Sequence, residues 1–247
     1  MYSGNELQVK IYADGADIAS ILEMYSNPLI SGFTTNPTLM RRAGIINYEN
    51  FARDILKTVT DKPLSFEVFS DDFEEMYFQA LHIASWGENV YVKIPVTNTQ
   101  NVPTYKLIKG LARAGIKQNV TALMTLSQVQ DVAKALADGP SSYISVFAGR
   151  IADTGRDPLP IMIEALEIMR PYPHLELIWA SPRELLNVFQ ANEIGCHIIT
   201  LTNDIINKIQ LVGKDLEEYS LDTVKMFHND ARSAGYQLLT SDLEVKT

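Results

Sequence analysis

Lys93 lies inside the apolar run Val-Tyr-Val-Lys-Ile-Pro that spans residues 90–95. Apolar neighbours on both sides would bury its stem and partly desolvate its amine, and burial disfavours the charged ammonium form. A neutral amine is a nucleophile that can attack a carbonyl carbon and form a Schiff base. The alternative reading is a lysine whose stem is buried while its amine extends to solvent at the end of a strand.

Two carboxylates could supply the proton transfers that Schiff-base chemistry needs. Asp14 ends the apolar run that begins at Val9, and Glu67 lies near the end of the run Leu64–Val68. Carboxylates so placed can help to expel water from a carbinolamine and can take a proton from a substrate hydroxyl. Each has an alternative reading: Asp14 as the N-cap of the following helix, and Glu67 as an ion-pair partner that opposes nucleophilicity of Lys93.

Polar residues also stand at the ends of the other apolar runs, which suggests one shared polar site. Two arginines, Arg150 and Arg183, together with serine hydroxyls suit the phosphate group of a sugar phosphate. Surface ion pairing is the alternative for both arginines. We expect Ser145, Phe147 and Gly149 on one face of the sixth run. The residues at the run ends are Thr34, Thr35, Asn36, Asn119, Thr121, Ser145, Phe147, Gly149, Arg150, Ser181 and Arg183.

These positions are explained by eight apolar or β-branched runs that alternate with helical patterns. The runs are Val9–Asp14, Ile30–Thr35, Leu64–Val68, Val90–Pro95, Lys117–Met124, Tyr143–Gly149, Leu175–Ala180 and Cys196–Leu201. The helical patterns are Asp17–Tyr25, Tyr48–Thr58, Phe73–Trp86, Thr104–Ala114, Leu126–Ala137, Pro158–Met169, Arg183–Ala191 and Asp204–Val212. Regular alternation without a linker predicts an α/β protein with a single (β/α)8 TIM barrel, whose active site lies at the carboxyl ends of the strands. An open parallel sheet is the alternative.

The last part of the chain falls outside the eight repeats. Residues 1–213 are expected to form the catalytic barrel. Residues 214–247 are expected to form a polar C-terminal helical tail of the same domain, with helical pieces around Leu221–Ala234. This tail could cap the barrel or reach a neighbouring subunit.

Composition and charge narrow the class of protein. The chain of 247 residues is 46% hydrophobic and 21% charged, which is typical of a globular enzyme and excludes a disordered chain or a membrane bundle. Its 30 acidic residues against 21 basic ones give a net charge of −9, which disfavours nucleic-acid and membrane partners. A local pair of arginines can nevertheless hold a phosphate.

Cysteine and histidine usage predicts neither a disulfide nor a metal site. Cys196 is the single cysteine, and the four histidines are scattered without the spacing of metal ligands. Residues Met1–Leu7 lack the basic start and apolar run of a secretory signal. We therefore expect a reduced, cytoplasmic protein.

Two motifs carry a resemblance to a known family. The segments Thr34-Thr35-Asn36-Pro37-Thr38 and Val92-Lys93-Ile94-Pro95 resemble the transaldolase family, class I Schiff-base aldolase barrels that include short transaldolases and fructose-6-phosphate aldolases. The resemblance runs from about Ile11 to Asp204. It implies that Lys93 forms the Schiff base, that Asp14 acts on substrate hydroxyls, and that Glu67 and Thr121 hold the catalytic water. It implies substrate contacts from Thr34, Asn36, Asn119, Ser145, Phe147, Arg150, Ser181 and Arg183.

The resemblance also separates two branches of the family. The pattern of the fructose-6-phosphate aldolases has glutamine in place of Glu67 and tyrosine in place of Phe147. This chain resembles the transaldolase branch at both positions. A phenyl ring donates no proton, so the enamine should persist until an aldose phosphate arrives. The chain departs from the family at Pro182, where an aromatic residue is common.

The implied function is a transaldolase of the pentose phosphate pathway. It would transfer a dihydroxyacetone unit from fructose 6-phosphate or sedoheptulose 7-phosphate to an aldose phosphate, with no cofactor or metal, because the imine is the electron sink. The alternatives are a fructose-6-phosphate aldolase that releases dihydroxyacetone and a non-catalytic sugar-phosphate-binding barrel. Short members of the family often assemble as rings, which implies a homo-oligomer.

Overall fold

Eight parallel strands close into a barrel in the part of the chain that ends at Ile209. The computed structural model describes residues 7–238. Each strand is hydrogen bonded to the next in chain order, and the last pairs with the first from Lys10↔Ile198 to Asp14↔Thr202. This closure confirms the (β/α)8 barrel, and the open-sheet alternative is wrong. The strands are β1 (Lys10–Asp14), β2 (Ile30–Thr34), β3 (Leu64–Glu67), β4 (Val90–Pro95), β5 (Gln118–Leu123), β6 (Ser142–Val146), β7 (Leu175–Trp179) and β8 (Ile198–Thr202).

At least one helix follows every strand, as the alternating pattern predicts. The helices up to Ile209 are α1 (Ile18–Ser26), α2 (Pro37–Arg42), α3 (Tyr48–Leu56), α4 (Phe73–Ala84), α5 (Tyr105–Arg113), α6 (Leu126–Leu136), α7 (Ala148–Ala152), α8 (Leu159–Met169), α9 (Leu186–Glu193) and α10 (Asn203–Ile206). The sequence prediction lacks α2 and α7, because five or six residues are too few to show an apolar period. A local signal for α2 exists: Asn36 caps it and Pro37 occupies its first turn.

The predicted sixth strand is too long at its carboxyl end. β6 stops at Val146, and the chain turns into α7, so Phe147 and Gly149 do not share a strand face with Ser145. The turn brings two backbones into contact, because a Cβ on Gly149 would lie 1.6 Å from the carbonyl oxygen of Ser181. Only glycine allows this approach of α7 to the end of β7.

Other element ends differ from the sequence prediction by a few residues. β8 begins at Ile198 rather than Cys196 and ends at Thr202 rather than Leu201. α9 begins at Leu186 rather than Arg183. The last helical pattern before the tail divides into α10 and a 3₁₀ turn at Asn207–Leu211.

Aromatic rings fill the lower part of the barrel interior. Tyr12, Tyr91 and Tyr143 are buried there together with Ile178 and Ile198. The Tyr12 and Tyr143 hydroxyl oxygens lie 2.9 Å apart, and the Tyr91 and Tyr143 rings stack with centroids 4.1 Å apart. Side chains alternate along a strand, so the next inward positions above this layer are the polar residues of the predicted site.

The opposite face of each strand packs outward against the helices. Phe33, Phe66, Val92 and Trp179 are among the buried side chains of this outer core. The helices contribute their apolar stripes, as the three-and-four spacing predicts. In α5 this stripe is Leu107, Ile108, Leu111 and Ala112.

Residues 210–238 form a second compact unit. Its helix α11 (Leu216–Ser233) begins five residues before the predicted start at Leu221, and Asp215 caps it by accepting hydrogen bonds from two backbone N–H groups. Residues 239–247 of the predicted tail lie outside the described residues. The division of the chain at residue 213 stays a prediction. Within residues 7–238, no helix is long and apolar enough to cross a membrane.

Gly32 makes the tyrosine layer possible, since Tyr12 is its neighbour across β1 and β2. A Cβ on Gly32 would lie 2.6 Å from the Tyr12 ring. We expect Gly32→Ala to destabilise the protein by about 1–3 kcal/mol through overpacking, measured by urea unfolding. Gly110→Ala is the control, because a Cβ there meets nothing within 4 Å and alanine favours the helix. Equal stability of the two variants would contradict this account of the barrel interior.

Candidate active site

A cavity of about 490 Å³ opens at the carboxyl ends of the strands. The structure brings every residue to which the resemblance gives a role to its walls, although those residues come from seven strands or the turns that follow them, whereas Thr35 and Gly149 do not line it. They are Asp14, Thr34, Asn36, Glu67, Lys93, Asn119, Thr121, Ser145, Phe147, Arg150, Ser181 and Arg183. The alternation of side chains along parallel strands explains this convergence, because the inward residues near each strand end face the same space. The roles of these residues stay predictions.

Lys93 is the buried cation of this cavity. Its side chain is 8% exposed, so a lysine whose amine merely extends to bulk solvent is not what the structure shows. The amine Nζ donates a hydrogen bond to the carbonyl oxygen of Thr35 at 2.7 Å. It also lies 3.2 Å from Oε2 of Glu67, which is the residue opposite Lys93 in the β3–β4 register. The ion pair considered for Glu67 is therefore present.

Asp14 lies at the end of β1 and belongs to the cavity. Its Oδ1 accepts a hydrogen bond from Thr34 Oγ1 at 2.9 Å, and Thr34 Oγ1 lies 2.5 Å from Thr200 Oγ1. Desolvation raises the pKa of Asp14 above its ordinary value, and the Glu67 carboxylate adds to the rise, whereas Lys93 and the Thr34 hydrogen bond oppose it. The N-cap reading of Asp14 is wrong, because Asp17 caps α1.

A buried hydrogen-bond chain fixes the polar groups beside Lys93. Asn119 Nδ2 donates to Ser65 Oγ at 3.0 Å, and Ser145 Oγ donates to Asn119 Oδ1 at 2.7 Å. Asn119 is the residue opposite Lys93 in the β4–β5 register. The chain holds the amide and the serine hydroxyl in one arrangement without using the lysine.

Thr121 presents a buried hydroxyl that has no hydrogen-bond partner within the described part of the chain. The next residue, Ala122, has a φ of 67°, and the β5–β6 register shifts between Val120 and Leu123. A left-handed alanine is a strained conformation, of a kind found more often at functional sites than elsewhere. The Thr121 hydroxyl is thus a buried polar group that lacks a hydrogen-bond partner among the described residues.

The two predicted phosphate-binding arginines differ in their surroundings. The Arg183 guanidinium forms a two-pronged ion pair with Asp153, with Nε 2.8 Å from Oδ1, and Nη1 donates to Ser181 Oγ at 2.9 Å. This pair holds the pKa of Asp153 below its ordinary value. Arg150 has no carboxylate within ion-pair distance among residues 7–238, and its guanidinium lies 5.8 Å from the centre of the Phe147 ring.

Asn36 has two tasks at the rim. Its Oδ1 accepts a hydrogen bond from the backbone N–H of Leu39 at 3.0 Å and so caps α2. The side-chain NH₂ is left as the group that could contact a ligand.

Sequence reasoning missed several residues that line the cavity. Arg42 on α2 is a third guanidinium there, and it has no ion-pair partner in the described ranges. Arg42 was not selected from the sequence, because the helix that carries it was not predicted. Thr200 and Thr202 on β8 could have been found, because they share the inward face of that strand with Ile198.

The described part of the molecule holds no cluster of side chains that could bind a metal ion. No group of three or more histidine, cysteine, aspartate or glutamate side chains lies together there to hold a metal ion.

The family profile described as transaldolase/fructose-6-phosphate aldolase matches residues 11–238. The chain belongs to the transaldolase/fructose-6-phosphate aldolase family. This match confirms the resemblance carried by the segments around Asn36 and Lys93. The names within the family indicate a transaldolase-type enzyme.

Curated relatives in the family match most of the chain. A "Probable transaldolase" from Thermoanaerobacter sp. (strain X514) is 33% identical over 231 residues, which cover 93% of this chain and 100% of that protein. A "Probable transaldolase" from Syntrophobacter fumaroxidans (strain DSM 10017 / MPOB) is 36% identical over 205 residues, covering 81% of this chain and 89% of that one.

The solved structures give support for the fold alone. The 3-hexulose-6-phosphate synthase from Salmonella typhimurium superposes with a TM-score of 0.54 at 14% sequence identity, covering 81% of this chain and 91% of that one. At this identity the likeness concerns the barrel and not the reaction.

The free Thr121 hydroxyl leads to a stability prediction. We expect Thr121→Val to leave the free energy of unfolding unchanged or to raise it, because no hydrogen bond within the described part of the protein is lost and an unpaired buried hydroxyl is removed. Thr34→Val is the matched control and should cost about 1–3 kcal/mol, because it leaves Asp14 without its donor. Urea unfolding measures both. A cost for Thr121→Val as large as that for Thr34→Val would show that its hydroxyl has a structural partner.

Proposed function

We propose that this protein is a transaldolase that transfers a dihydroxyacetone unit from a ketose phosphate to an aldose phosphate through a Schiff base on Lys93. One observation carries the proposal: the Lys93 amine is buried in the cavity, 3.2 Å from the Glu67 carboxylate, with Asp14 in the same cavity. A binding protein for sugar phosphates gains nothing from a buried amine beside two carboxylates, because burying the charges costs free energy.

The first half of the reaction forms the imine and breaks a carbon–carbon bond. Glu67 accepts a proton from the Lys93 ammonium, and Nζ attacks the C2 ketone of fructose 6-phosphate or sedoheptulose 7-phosphate. Glu67 returns this proton to the carbinolamine hydroxyl, which leaves as water, and an iminium ion remains. Asp14 then takes the proton of the C4 hydroxyl, the C3–C4 bond breaks, and its electron pair moves into the iminium to give an enamine. The aldose phosphate leaves.

The second half transfers the three-carbon unit. The enamine on Lys93 attacks the aldehyde of erythrose 4-phosphate or glyceraldehyde 3-phosphate, and Asp14 returns its proton to the new alkoxide. Water then releases the product ketose from the lysine. Glu67 and the Thr121 hydroxyl hold this water in the proposal, and the lack of another partner for that hydroxyl among residues 7–238 supports this role. The iminium is the electron sink, so the proposal needs no cofactor and no metal.

Substrate contacts in the proposal follow the walls of the cavity. Thr34, Asn36, Asn119 and Ser145 orient the ketose hydroxyls, and Arg150, Ser181 and Arg183 bind the phosphate. A volume of about 490 Å³ is in the range of small-molecule sites. Arg150 is the better placed of the two arginines, because no carboxylate of the described ranges lies within ion-pair distance of it, whereas Arg183 is paired with Asp153.

Phe147 is the residue that favours transfer over cleavage. It lines the cavity, and its ring has no proton to give to the enamine. We therefore infer that the enamine waits for an aldose phosphate. The proposed setting is the pentose phosphate pathway in the cytoplasm, with sugar phosphates as the partners, no role for nucleic acid or membrane, and a homo-oligomeric assembly.

The decisive measurement is release of glyceraldehyde 3-phosphate from fructose 6-phosphate, with and without erythrose 4-phosphate. We expect release that depends on the acceptor. Lys93→Met should abolish it, because no other group forms the Schiff base, and borohydride should trap the donor on the wild-type chain but not on the variant. Lys57→Met is the control, since Lys57 is an exposed lysine paired with Asp54.

Other outcomes would redirect or reject the proposal. Equal release without erythrose 4-phosphate would move the protein to fructose-6-phosphate aldolase activity and make the interpretation of Phe147 wrong. Transfer by Lys93→Met would reject the Schiff base on this residue.

The raised pKa of Asp14 predicts the acid side of the pH profile. A desolvated carboxyl binds its proton at a higher pH than an exposed aspartate, whose pKa is about 3.9. The proposed mechanism needs Asp14 deprotonated, so kcat/KM should fall as the pH falls through this raised pKa, with a midpoint above the pKa of an exposed aspartate. Asp14→Asn should lower the rate by at least about 100-fold and remove this acid limb. An unchanged acid limb in Asp14→Asn would assign the limb to another group.

A further inference from the structure

We propose that Tyr48 is a positioning residue that holds Glu67 in place beside Lys93. The inference rests on the proposed function for its effect on rate, and on two contacts for its geometry. The Tyr48 hydroxyl accepts a hydrogen bond from the backbone N–H of Glu67 at 2.7 Å and donates one to the carbonyl oxygen of the same residue at 2.9 Å.

Glu67 needs this support because β2, the strand that pairs with β3 on this side, ends at Thr34 and leaves the backbone groups of Glu67 without a strand partner. Along β2 and β3, Phe33 donates to the carbonyl of Pro63, and Thr35 donates to the carbonyl of Ser65. The next donor in this alternating series would be residue 37, with Glu67 as its acceptor. Residue 37 is a proline, which has no N–H and instead opens α2. The hydroxyl of Tyr48 donates to the Glu67 carbonyl in its place.

The same regular ladder would give the N–H of Glu67 to the carbonyl oxygen of Thr35. That oxygen accepts the Lys93 amine at 2.7 Å instead, while the Glu67 N–H bonds to Tyr48. Tyr48 thus satisfies both backbone groups of Glu67 and leaves the Thr35 carbonyl to the lysine. Without the hydroxyl, the Glu67 backbone would lose both partners or would compete with Lys93 for Thr35.

Tyr48 is itself held firmly. It begins α3, whose N-cap Asn47 accepts a hydrogen bond from Asn50. Its ring packs edge-on against Phe69 with centroids 4.7 Å apart, and it also contacts Phe66 and Trp86. Burial raises the pKa of the Tyr48 phenol, so the hydroxyl keeps the proton that it donates. Phenylalanine would keep the ring contacts and lose only the two hydrogen bonds.

The test is a double-mutant cycle in the full chain with Tyr48→Phe and Glu67→Gln, measured as transfer from fructose 6-phosphate to erythrose 4-phosphate. We expect Tyr48→Phe to lower kcat by about 10- to 100-fold in the wild-type background, with KM changed by less than about threefold. In the Glu67→Gln background it should lower kcat by less than about threefold, because Tyr48 acts through that carboxylate. An equal loss in both backgrounds, or no loss in either, would overturn the proposal.

Tyr25→Phe is the matched control. It also removes one tyrosine hydroxyl, which donates to Asp61 Oδ1 at 2.6 Å outside the cavity. We expect its kcat to equal that of the wild type. Melting temperatures of all variants identify any loss of rate that comes from unfolding.

A second readout separates this inference from the proposed function. Borohydride trapping of dihydroxyacetone on Lys93, followed by mass spectrometry across a pH series, reports the reactivity of the amine without turnover. Tyr48→Phe should shift the pH dependence of trapping, because the Lys93–Glu67 contact changes, and Tyr25→Phe should not. Absence of transfer by the wild type would reject the transaldolase proposal alone. An unchanged trapping profile in Tyr48→Phe would overturn the role of Tyr48.

Discussion

A buried ammonium group is the constraint on which the rest of the cavity depends. Removing the Lys93 amine from water costs several kcal/mol unless acceptors and an opposite charge replace the lost hydration. The barrel supplies one of each, the Thr35 carbonyl and the Glu67 carboxylate, and both come from the two strands that precede β4. Their positions follow from strand register, because Glu67 and Lys93 are direct neighbours across β3 and β4.

The layer beneath the lysine serves the same constraint. Three tyrosines close the barrel interior below the polar residues, so that little water reaches the amine from that side. Above the tyrosines, Lys93 shares the cavity with two carboxyl groups, and the pKa of one of these carboxyl groups differs from its ordinary value. Asp14, desolvated and near Glu67, has its pKa raised.

The parts of the molecule that repeat could be predicted from the sequence, and the parts that interrupt the repeat could not. Lys93 and Asn119 were found because a polar residue stands out inside or at the end of an apolar run. Tyr48 was not found, because a tyrosine at the start of a helical pattern is ordinarily a packing residue and nothing local shows the hydroxyl's partner. The pairing of Arg183 with Asp153 was equally invisible, since the two residues meet only after β6 and β7 have turned toward each other.

Pro37 ends the ladder of backbone hydrogen bonds between β2 and β3. A residue with an N–H at that position could donate to the Glu67 carbonyl, and the ladder between β2 and β3 would continue by one more hydrogen bond. The ring nitrogen of proline carries no hydrogen, so this bond is missing and the Glu67 carbonyl accepts the Tyr48 hydroxyl instead. The Glu67 N–H also bonds to Tyr48, and this leaves the Thr35 carbonyl as the acceptor that Lys93 uses. The imino acid of the Asn36-Pro37 pair thus decides where hydrogen bonding inside the sheet ends and where contacts to the cavity begin.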